Sequence, residues 1–142
     1  MKNSFRLDQI RRVSLIIVAI GLVIGRGMTV GRPLSILLSQ KPINATVTLA
    51  HSASRNLTEL IKESDVVIAA MGSAQFIKAQ MVKKGSVLVD VGITRDGNQL
   101  VGDFDPKVIE VASAFAPMPG GVGPMTRVML LKNVIELARN EK

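Results

Sequence analysis

The sequence lacks several residue types on which common chemistries depend. It has 142 residues with no cysteine, tryptophan or tyrosine, and His51 is its only histidine. Without cysteine there can be no disulfide framework, thiolate metal site or thiol nucleophile, and one histidine argues against a histidine-based zinc site. The absence of tyrosine excludes chemistry that needs a phenol. We therefore expect no metal ligands and no catalytic residues of these kinds in the chain.

Acidic residues are scarce in the first half of the chain. None occurs between Gln9 and Thr58, whereas the same stretch carries six basic residues. The net charge is +7, from 18 basic and 11 acidic side chains. A basic stretch without carboxylates favours an anion as its ligand.

The remaining composition is that of an ordinary globular domain. Hydrophobic residues make up 47% of the chain and charged residues 20%. These proportions differ from those of disordered chains, and the glycine and proline counts show no repeat bias. The length suits one domain, and no internal linker is evident.

An apolar run from Val13 to Ile24 follows four basic residues and admits three interpretations. The arrangement superficially resembles a secretory signal, but the next residues, Gly25-Arg26-Gly27, do not form a small-x-small cleavage pattern. The run is also shorter than the roughly 20 apolar residues that a membrane-spanning helix needs. Because it is rich in Ile and Val, we rank a buried strand of a parallel sheet first, a signal segment second and a membrane anchor third.

Short β-branched runs alternate with segments of helical period along the chain. This order predicts an α/β fold of the Rossmann-like, doubly wound type, with a mainly parallel sheet and flanking helices. The last predicted helix places Met125, Val128, Leu131, Ile135 and Ala138 on one stripe. The predicted strands are 20–24, 45–49, 66–70, 87–91 and a short piece at Phe115, and the predicted helices are 33–39, 57–63, 76–82, 106–112 and 125–139.

The turn after the first predicted strand is rich in glycine. It has the pattern G-x-G-x-x-x-G, with glycines at Gly25, Gly27 and Gly31, and is related to the dinucleotide-binding fingerprint. The turn opens a helix whose first turn accepts Pro33. Gly25 and Gly27 would let the backbone approach a pyrophosphate, and the helix N-terminus would supply amide donors. From this motif alone, a glycine turn without a ligand is an equal alternative.

The end of the second predicted strand favours NADP over NAD. NAD-binding domains place an Asp or Glu here, roughly 20 residues past the fingerprint, to bind the ribose hydroxyls. This chain has His51-Ser52-Ala53-Ser54-Arg55 instead, and Arg26 is expected nearby. One charge-assisted contact from an arginine contributes about 1.5–3 kcal/mol, which would favour NADP about tenfold to a hundredfold. Ser52 and Ser54 also fit a helix-capping role, and we interpret His51 as a structural hydrogen-bonding residue.

Five segments of the chain together resemble one enzyme family. They are VIGRGMTVGRP (23–33), NATVTLAHS (44–52), VDVGI (89–93), LVGDFD (100–105) and PMPGGVGPMT (117–126). In this order they are similar to the NADP-binding domain of bifunctional methylenetetrahydrofolate dehydrogenase/methenyltetrahydrofolate cyclohydrolase. The resemblance runs from about Gly21 to the end of the chain, and the last motif is the most specific.

The resemblance implies the positions of several cofactor contacts. Gly25, Arg26 and Gly27 would contact the cofactor, Ser52 its 2′-phosphate, and Ile93 its nicotinamide side. NADP is the cofactor that this resemblance implies.

The resemblance also implies a role for the loop at 119–124. Its glycines, Gly120, Gly121 and Gly123, would lie where the nicotinamide and the pterin meet, because glycines let the backbone approach flat rings. The alternative is a tight turn into the last helix.

Two positions depart from the family pattern. Gly27 stands where most members have serine, so a hydroxyl contact is absent there. The HSRT-like segment of the family has the sequence His51-Ser52-Ala53-Ser54 here, which leaves Arg55 as a replacement cation.

The resemblance further implies a second domain that this sequence does not match. Members oxidise methylenetetrahydrofolate to methenyltetrahydrofolate with NADP and hydrolyse that to 10-formyltetrahydrofolate, in a cleft between two domains. The catalytic Lys, its Tyr neighbour and the pterin-binding Asp and Gln lie in the N-terminal domain. We therefore expect residues 1–19 to be an atypical segment and 20–142 to be an NADP-binding domain that binds cofactor without turnover.

Partner and location follow from the same resemblance. We expect a cytoplasmic protein, a homodimer as in the family, and a folate substrate only when the second domain is supplied. A domain without its partner exposes apolar surface, so we also expect self-association. The alternatives are a non-catalytic docking partner of a full-length homologue and a basic nucleic-acid-binding module, against which the 3% aromatic content argues.

Overall fold

A five-stranded sheet organises residues 20–140, which are the part of the chain that the computed structural model describes. Three α-helices, a two-stranded hairpin and two short 3-10 helices accompany it. In chain order the elements are β1 (Ile20–Ile24), α1 (Gly31–Ser39), β2 (Thr46–Ala50), α2 (Leu57–Glu63), β3 (Val66–Ala69), a 3-10 helix (Ala79–Met81), β4 (Val87–Asp90), β5 (Thr94–Asp96), β6 (Gln99–Val101), a 3-10 helix (Pro106–Glu110), β7 (Ala114–Ala116) and α3 (Val122–Asn140).

The strand order of the sheet creates a switch point. The order is β2-β1-β3-β4-β7, and all neighbouring strands are parallel. The chain runs from β1 to β2 on one side and then returns to β3 on the other side, so α1 and α2 cover opposite faces when both crossovers are right-handed. The predicted doubly wound α/β fold is confirmed. Ligands of such sheets bind at the carboxyl ends of the strands, where the winding direction reverses.

The interior position of β1 explains its apolar sequence. Leu22 and Ile24 are fully buried on the face that α2 covers, and Val23 is fully buried on the other face. Because both faces are covered, the strand shows no polar alternation. The described part of the apolar run is thus the buried strand that we ranked first. The rest of the run, 13–19, and the whole predicted N-terminal segment, 1–19, lie outside the described residues.

Two predicted helices are wrong in type. The segment 76–82 contains only a 3-10 helix at Ala79–Met81, because Ile77 instead pairs with Phe104 in an isolated parallel bridge. The segment 106–112 is a 3-10 helix at Pro106–Glu110, where the Asp105 carboxylate accepts a hydrogen bond from the Lys107 N–H at 3.0 Å.

The hairpin β5–β6 was not predicted. Asp96 and Gln99 pair across a two-residue turn, in which Gly97 has a φ of +57°. Gly97-Asn98, a Gly-Asn pair between two short extended segments, is a known hairpin signal. It could therefore have been found from the sequence.

Helix α3 is longer than predicted and contributes no buried residue to the core of residues 20–140. It begins at Val122, so Gly123 and Pro124 belong to its first turn and not to the preceding loop. Every residue from Gly123 to Asn140 is exposed, including the predicted apolar stripe. No helix among residues 20–140 has both the length and the apolar content needed to cross a bilayer.

Candidate functional site

A groove of about 380 Å³ lies at the switch point, across the carboxyl ends of β1, β3 and β4. Its size falls in the range of about 300–1,000 Å³ that is typical of small-molecule sites. Three backbone segments form it: the turn before α1, the end of β3 and the end of β4. The lining residues are Gly27, Thr29, Val30, Gly31, Ala70, Met71, Gly72, Val91, Gly92 and Ile93.

Two glycines allow the turn after β1 to pass close to its neighbours. Gly25 has a φ of +132°, and a Cβ at this position would overlap the Ala70 carbonyl. A Cβ at Gly31 would overlap the Gly25 carbonyl. The Gly25 N–H donates to the Ala50 carbonyl at 2.8 Å, which ties the turn to the end of β2. Only glycine fits this path, which brings the start of α1 directly against the end of β1.

The N-terminus of α1 is electrostatically suited to an anion. The residue before the helix is Val30, no side chain caps the first turn, and no acidic residue lies in it. The Gly31 N–H makes none of the backbone hydrogen bonds found within residues 20–140, whereas the Arg32 N–H donates to the Gly27 carbonyl at 3.2 Å. Pro33 has no N–H. The N-terminal end of a helix carries roughly half a positive charge. Because Val30 and Gly31 line the groove, this charge acts on whatever occupies it.

The residues after β2 lie next to the same turn. The Ser52 side chain is exposed and takes part in none of the hydrogen bonds found within residues 20–140. Ser54 accepts a hydrogen bond from the His51 N–H at 3.0 Å, and His51 Nδ1 accepts one from the Ala53 N–H at 3.2 Å. These local bonds agree with the structural role predicted for His51.

The capping alternative for the two serines is wrong. The residue before α2 is Asn56, and no side chain caps that helix. Arg26 and Arg55 are exposed, and neither takes part in an ion pair with another described residue. Within residues 20–140, the Ser52 hydroxyl and the two guanidinium groups therefore make no hydrogen bond or ion pair.

The structure brings only some of the predicted site residues together. Gly27 and Ile93 line the groove on opposite walls, and Gly25 lies beneath the turn. Arg26 and Ser52 lie at the adjoining ends of β1 and β2.

The glycines of the 119–124 segment follow β7, at the same edge of the sheet but outside the groove lining. Gly120 has a φ of +102°, and the Gly121 N–H donates to the Pro117 carbonyl at 2.7 Å. Gly123 lies in the first turn of α3. The segment is therefore a tight turn into the helix, and its contact with the cofactor stays a prediction.

Several lining residues were not predicted. Met71 and Gly72 follow β3, which pairs directly with β1, and Val91 and Gly92 follow β4. The sequence does place these residues directly after predicted strands. Only the order of the strands in the sheet, however, shows which strand ends lie next to the glycine turn.

Two buried carboxylates, those of Asp90 and Asp103, support the walls of the groove. Asp90, at the end of β4, accepts hydrogen bonds from the N–H groups of Asp103 at 2.9 Å and Phe104 at 3.1 Å. Burial raises the pKa of Asp90 above its ordinary value, and these backbone hydrogen bonds oppose that shift.

Within residues 20–140 no cluster of acidic or histidine side chains has the arrangement of a metal site.

Comparison with known proteins identifies the family. The family model described as tetrahydrofolate dehydrogenase/cyclohydrolase, NAD(P)-binding domain, matches residues 18–142. This match confirms the resemblance found in the sequence and the predicted type of cofactor.

Solved structures give the same result. The chain is similar to the bifunctional methylenetetrahydrofolate dehydrogenase/cyclohydrolase FolD of Campylobacter jejuni, with 34% identity and a TM-score of 0.85 over 96% of this chain and 49% of that one. It is similar to a 5,10-methylenetetrahydrofolate dehydrogenase of the silkworm Bombyx mori, with 36% identity and a TM-score of 0.84 over 94% and 49%.

A third similar structure carries a cofactor. The methylenetetrahydrofolate dehydrogenase-cyclohydrolase of Trypanosoma brucei, complexed with NADP and an inhibitor, has 33% identity and a TM-score of 0.82 over 95% of this chain and 48% of that one. The present chain spans about half the length of these proteins. It belongs to the tetrahydrofolate dehydrogenase/cyclohydrolase family, of which it contains the NAD(P)-binding domain.

Proposed function

We propose that the chain binds NADP in the groove at the switch point and acts as the cofactor-binding half of a methylenetetrahydrofolate dehydrogenase/cyclohydrolase. The observation that carries the proposal is the close approach of Gly31 to Gly25, beside an uncapped helix N-terminus. Side chains are absent where a diphosphate needs space, and the partial charge of the helix is free to bind it.

The 2′-phosphate of the cofactor would bind at the end of β2. The Ser52 hydroxyl and the Arg26 and Arg55 guanidinium groups are available there, and no acidic residue occurs between Gln9 and Thr58. An Asp or Glu near this site would repel the phosphate and favour NAD. The set of donors therefore favours NADP.

The nicotinamide would lie at the other end of the groove, beside the end of β4. Ile93 is 60% exposed there, so an apolar side chain is available to contact the ring. A bound nicotinamide would supply the hydride acceptor, and Ile93 at the end of β4 would orient it. The Gly120–Gly121 turn beyond β7 would complete this end of the site.

The folate reactions belong to the same proposal. Oxidation of methylenetetrahydrofolate with NADP, followed by hydrolysis to 10-formyltetrahydrofolate, would require the catalytic residues of a second domain or chain. We also propose a cytoplasmic location, which the family resemblance implies. The exposed apolar side chains of α3 support assembly as a homodimer or with such a second chain.

A titration of the purified chain with NADPH and NADH, followed by cofactor fluorescence, tests the proposal. We expect NADPH to bind about tenfold to a hundredfold more tightly, the effect of one charge-assisted contact. Arg26→Gln should reduce this preference, and Arg139→Gln, an equal loss of charge in the last turn of α3, should not. Equal or absent binding of the two cofactors would contradict the proposal.

A second candidate function is that of a non-catalytic docking partner. It is favoured by α3, whose side chains from Gly123 onward are exposed. Co-purification with a full-length homologue, together with an absence of NADPH binding, would favour this function over the first.

A further inference from the structure

The Asp103 carboxylate lies against the β3 wall of the groove. Asp103 is 0% exposed, and its Oδ2 accepts hydrogen bonds from the N–H groups of Met71 at 2.7 Å and Gly72 at 3.2 Å. Its Oδ1 accepts a third bond, from the Ser73 N–H at 2.7 Å. Met71 and Gly72 line the groove. One side chain thus fixes three consecutive amides of this wall.

The same carboxylate contacts the β4 wall. Gly92 lines the groove there, and a Cβ at Gly92 would overlap the carboxylate of Asp103. The absence of a side chain at Gly92 lets the carboxylate lie directly against the backbone. Asp103 therefore packs against the adjoining ends of β3 and β4, both of which line the groove.

Asp103 is itself held from both sides. Its N–H donates to Asp90 at 2.9 Å, and its carbonyl accepts a bond from the Ile77 N–H at 2.9 Å. The Asp90 carboxylate in turn lies against the backbone of Gly102, where a Cβ would overlap it. Asp90 and Asp103 thus clamp the base of the β5–β6 hairpin, next to Ile93.

The chemistry of these contacts requires a carboxylate. Three N–H donors converge on one side chain, and only an ionised carboxylate offers acceptors alone. An asparagine of the same shape would turn one oxygen into an amino group and place a donor against a donor. A buried donor without a partner is costly, so the loop 71–73 would move.

We propose that Asp103 is a positioning residue of the cofactor site, which holds the segments that follow the adjoining strands β3 and β4 in place at the nicotinamide end. The proposal rests on the function proposed above. Asp103 does not touch the ends of β1 and β2, where Arg26 and Ser52 would bind the phosphorylated adenosine. Loss of its carboxylate should therefore affect the two ends of the cofactor unequally.

The test is Asp103→Asn in the full chain, with NADPH and adenosine 2′,5′-bisphosphate as separate probes. We expect NADPH to bind about tenfold more weakly, because binding must then return the displaced loop 71–73 to its place at a cost similar to one charge-assisted hydrogen bond. Binding of the bisphosphate should not change. The matched control is Asp105→Asn, since Asp105 makes its bonds to Lys78 and Lys107 outside the groove. It should leave both affinities unchanged.

Amide hydrogen exchange supplies a readout that does not depend on ligand. In D103N the amides of Met71, Gly72 and Ser73 should exchange faster, while those of β1 stay protected. An equal loss of affinity for NADPH and for the bisphosphate would overturn the proposal, because it would indicate a general loss of structure. Unchanged exchange of the three amides would also overturn it.

A second variant covers the case in which D103N does not fold. Gly92→Ala keeps the charge but displaces the carboxylate, and it should reproduce the selective loss of NADPH affinity. Retention of wild-type NADPH affinity in G92A would overturn the proposal. If the wild-type chain binds neither probe, the proposed function fails by itself, and the exchange of the three amides in the variants still decides the role of Asp103.

Discussion

The Gly31 Cα lies so close to the Gly25 carbonyl that a side chain at position 31 would overlap it. Gly31→Ala must therefore separate α1 from the end of β1. We expect the free energy of unfolding to fall by about 1–3 kcal/mol, the usual cost of overpacking. Gly27→Ala is the matched control, because nothing lies within 4 Å of a Cβ there. Urea denaturation of both variants measures the difference, and equal stabilities would show that the contact is loose.

A carboxylate introduced at Ser52 should alter cofactor choice. Ser52→Asp would repel a 2′-phosphate and could accept hydrogen bonds from ribose hydroxyls, so NADPH affinity should fall by about tenfold or more while NADH affinity is retained or improves. Gln99→Asp adds the same charge on the exposed hairpin strand β6 and should change neither affinity. An equal effect of the two substitutions on NADPH would show that only net charge matters.

The contributions of Asp90 and Asp105 to the free energy of unfolding should change with pH in opposite directions. Burial raises the pKa of Asp90, so the folded state keeps its proton to a higher pH than the unfolded state does. Its contribution to the free energy of unfolding therefore falls as pH rises from the ordinary value of 3.8 through the raised pKa. The hydrogen bond from the Lys107 N–H, followed by that from Lys78, lowers the pKa of Asp105, and its contribution is lost as pH falls through that lowered value.

Denaturation of wild type, Asp90→Asn and Asp105→Asn across the acid range tests these opposite signs. The stability of wild type relative to D90N should decrease with rising pH, and relative to D105N it should increase. Parallel curves for the three proteins would contradict the assignment.

The exposed apolar face of α3 should cause concentration-dependent association. Leu131 is 65% exposed, so Leu131→Glu removes apolar surface without disturbing a core. Sedimentation should show less association for this variant than for wild type. Asn133→Glu adds the same charge at an exposed polar position of the same helix and should associate like wild type. Monomeric wild-type protein at all concentrations would contradict the prediction.

The elements that the sequence predicted well are those governed by local rules. The bounds of β1 coincide with the prediction because its Ile and Val residues fill the sheet interior, and α2 begins and ends at Leu57 and Glu63 as its helical period indicates. The helix predicted at 76–82 failed because Ile77 pairs with Phe104, a contact far along the chain that no local pattern encodes.

The glycine turn of the site was predictable for a similar local reason, since Gly25 and Gly31 lie in a recognisable motif. The support from Asp103 was not. Its three partners at 71–73 lie about thirty residues earlier in the chain, and an aspartate in a loop is usually exposed. Only the arrangement of β3 beside β4 brings these segments together.

The clamp at the base of the β5–β6 hairpin has a practical consequence for engineering. Asp90 and Asp103 hold the two ends of the hairpin segment together, so these ends are fixed whatever the sequence of the turn between them. The turn at Gly97 and Asn98 is exposed and makes no groove contact. A fluorescent reporter or affinity tag inserted between these two residues should leave the nucleotide pocket intact.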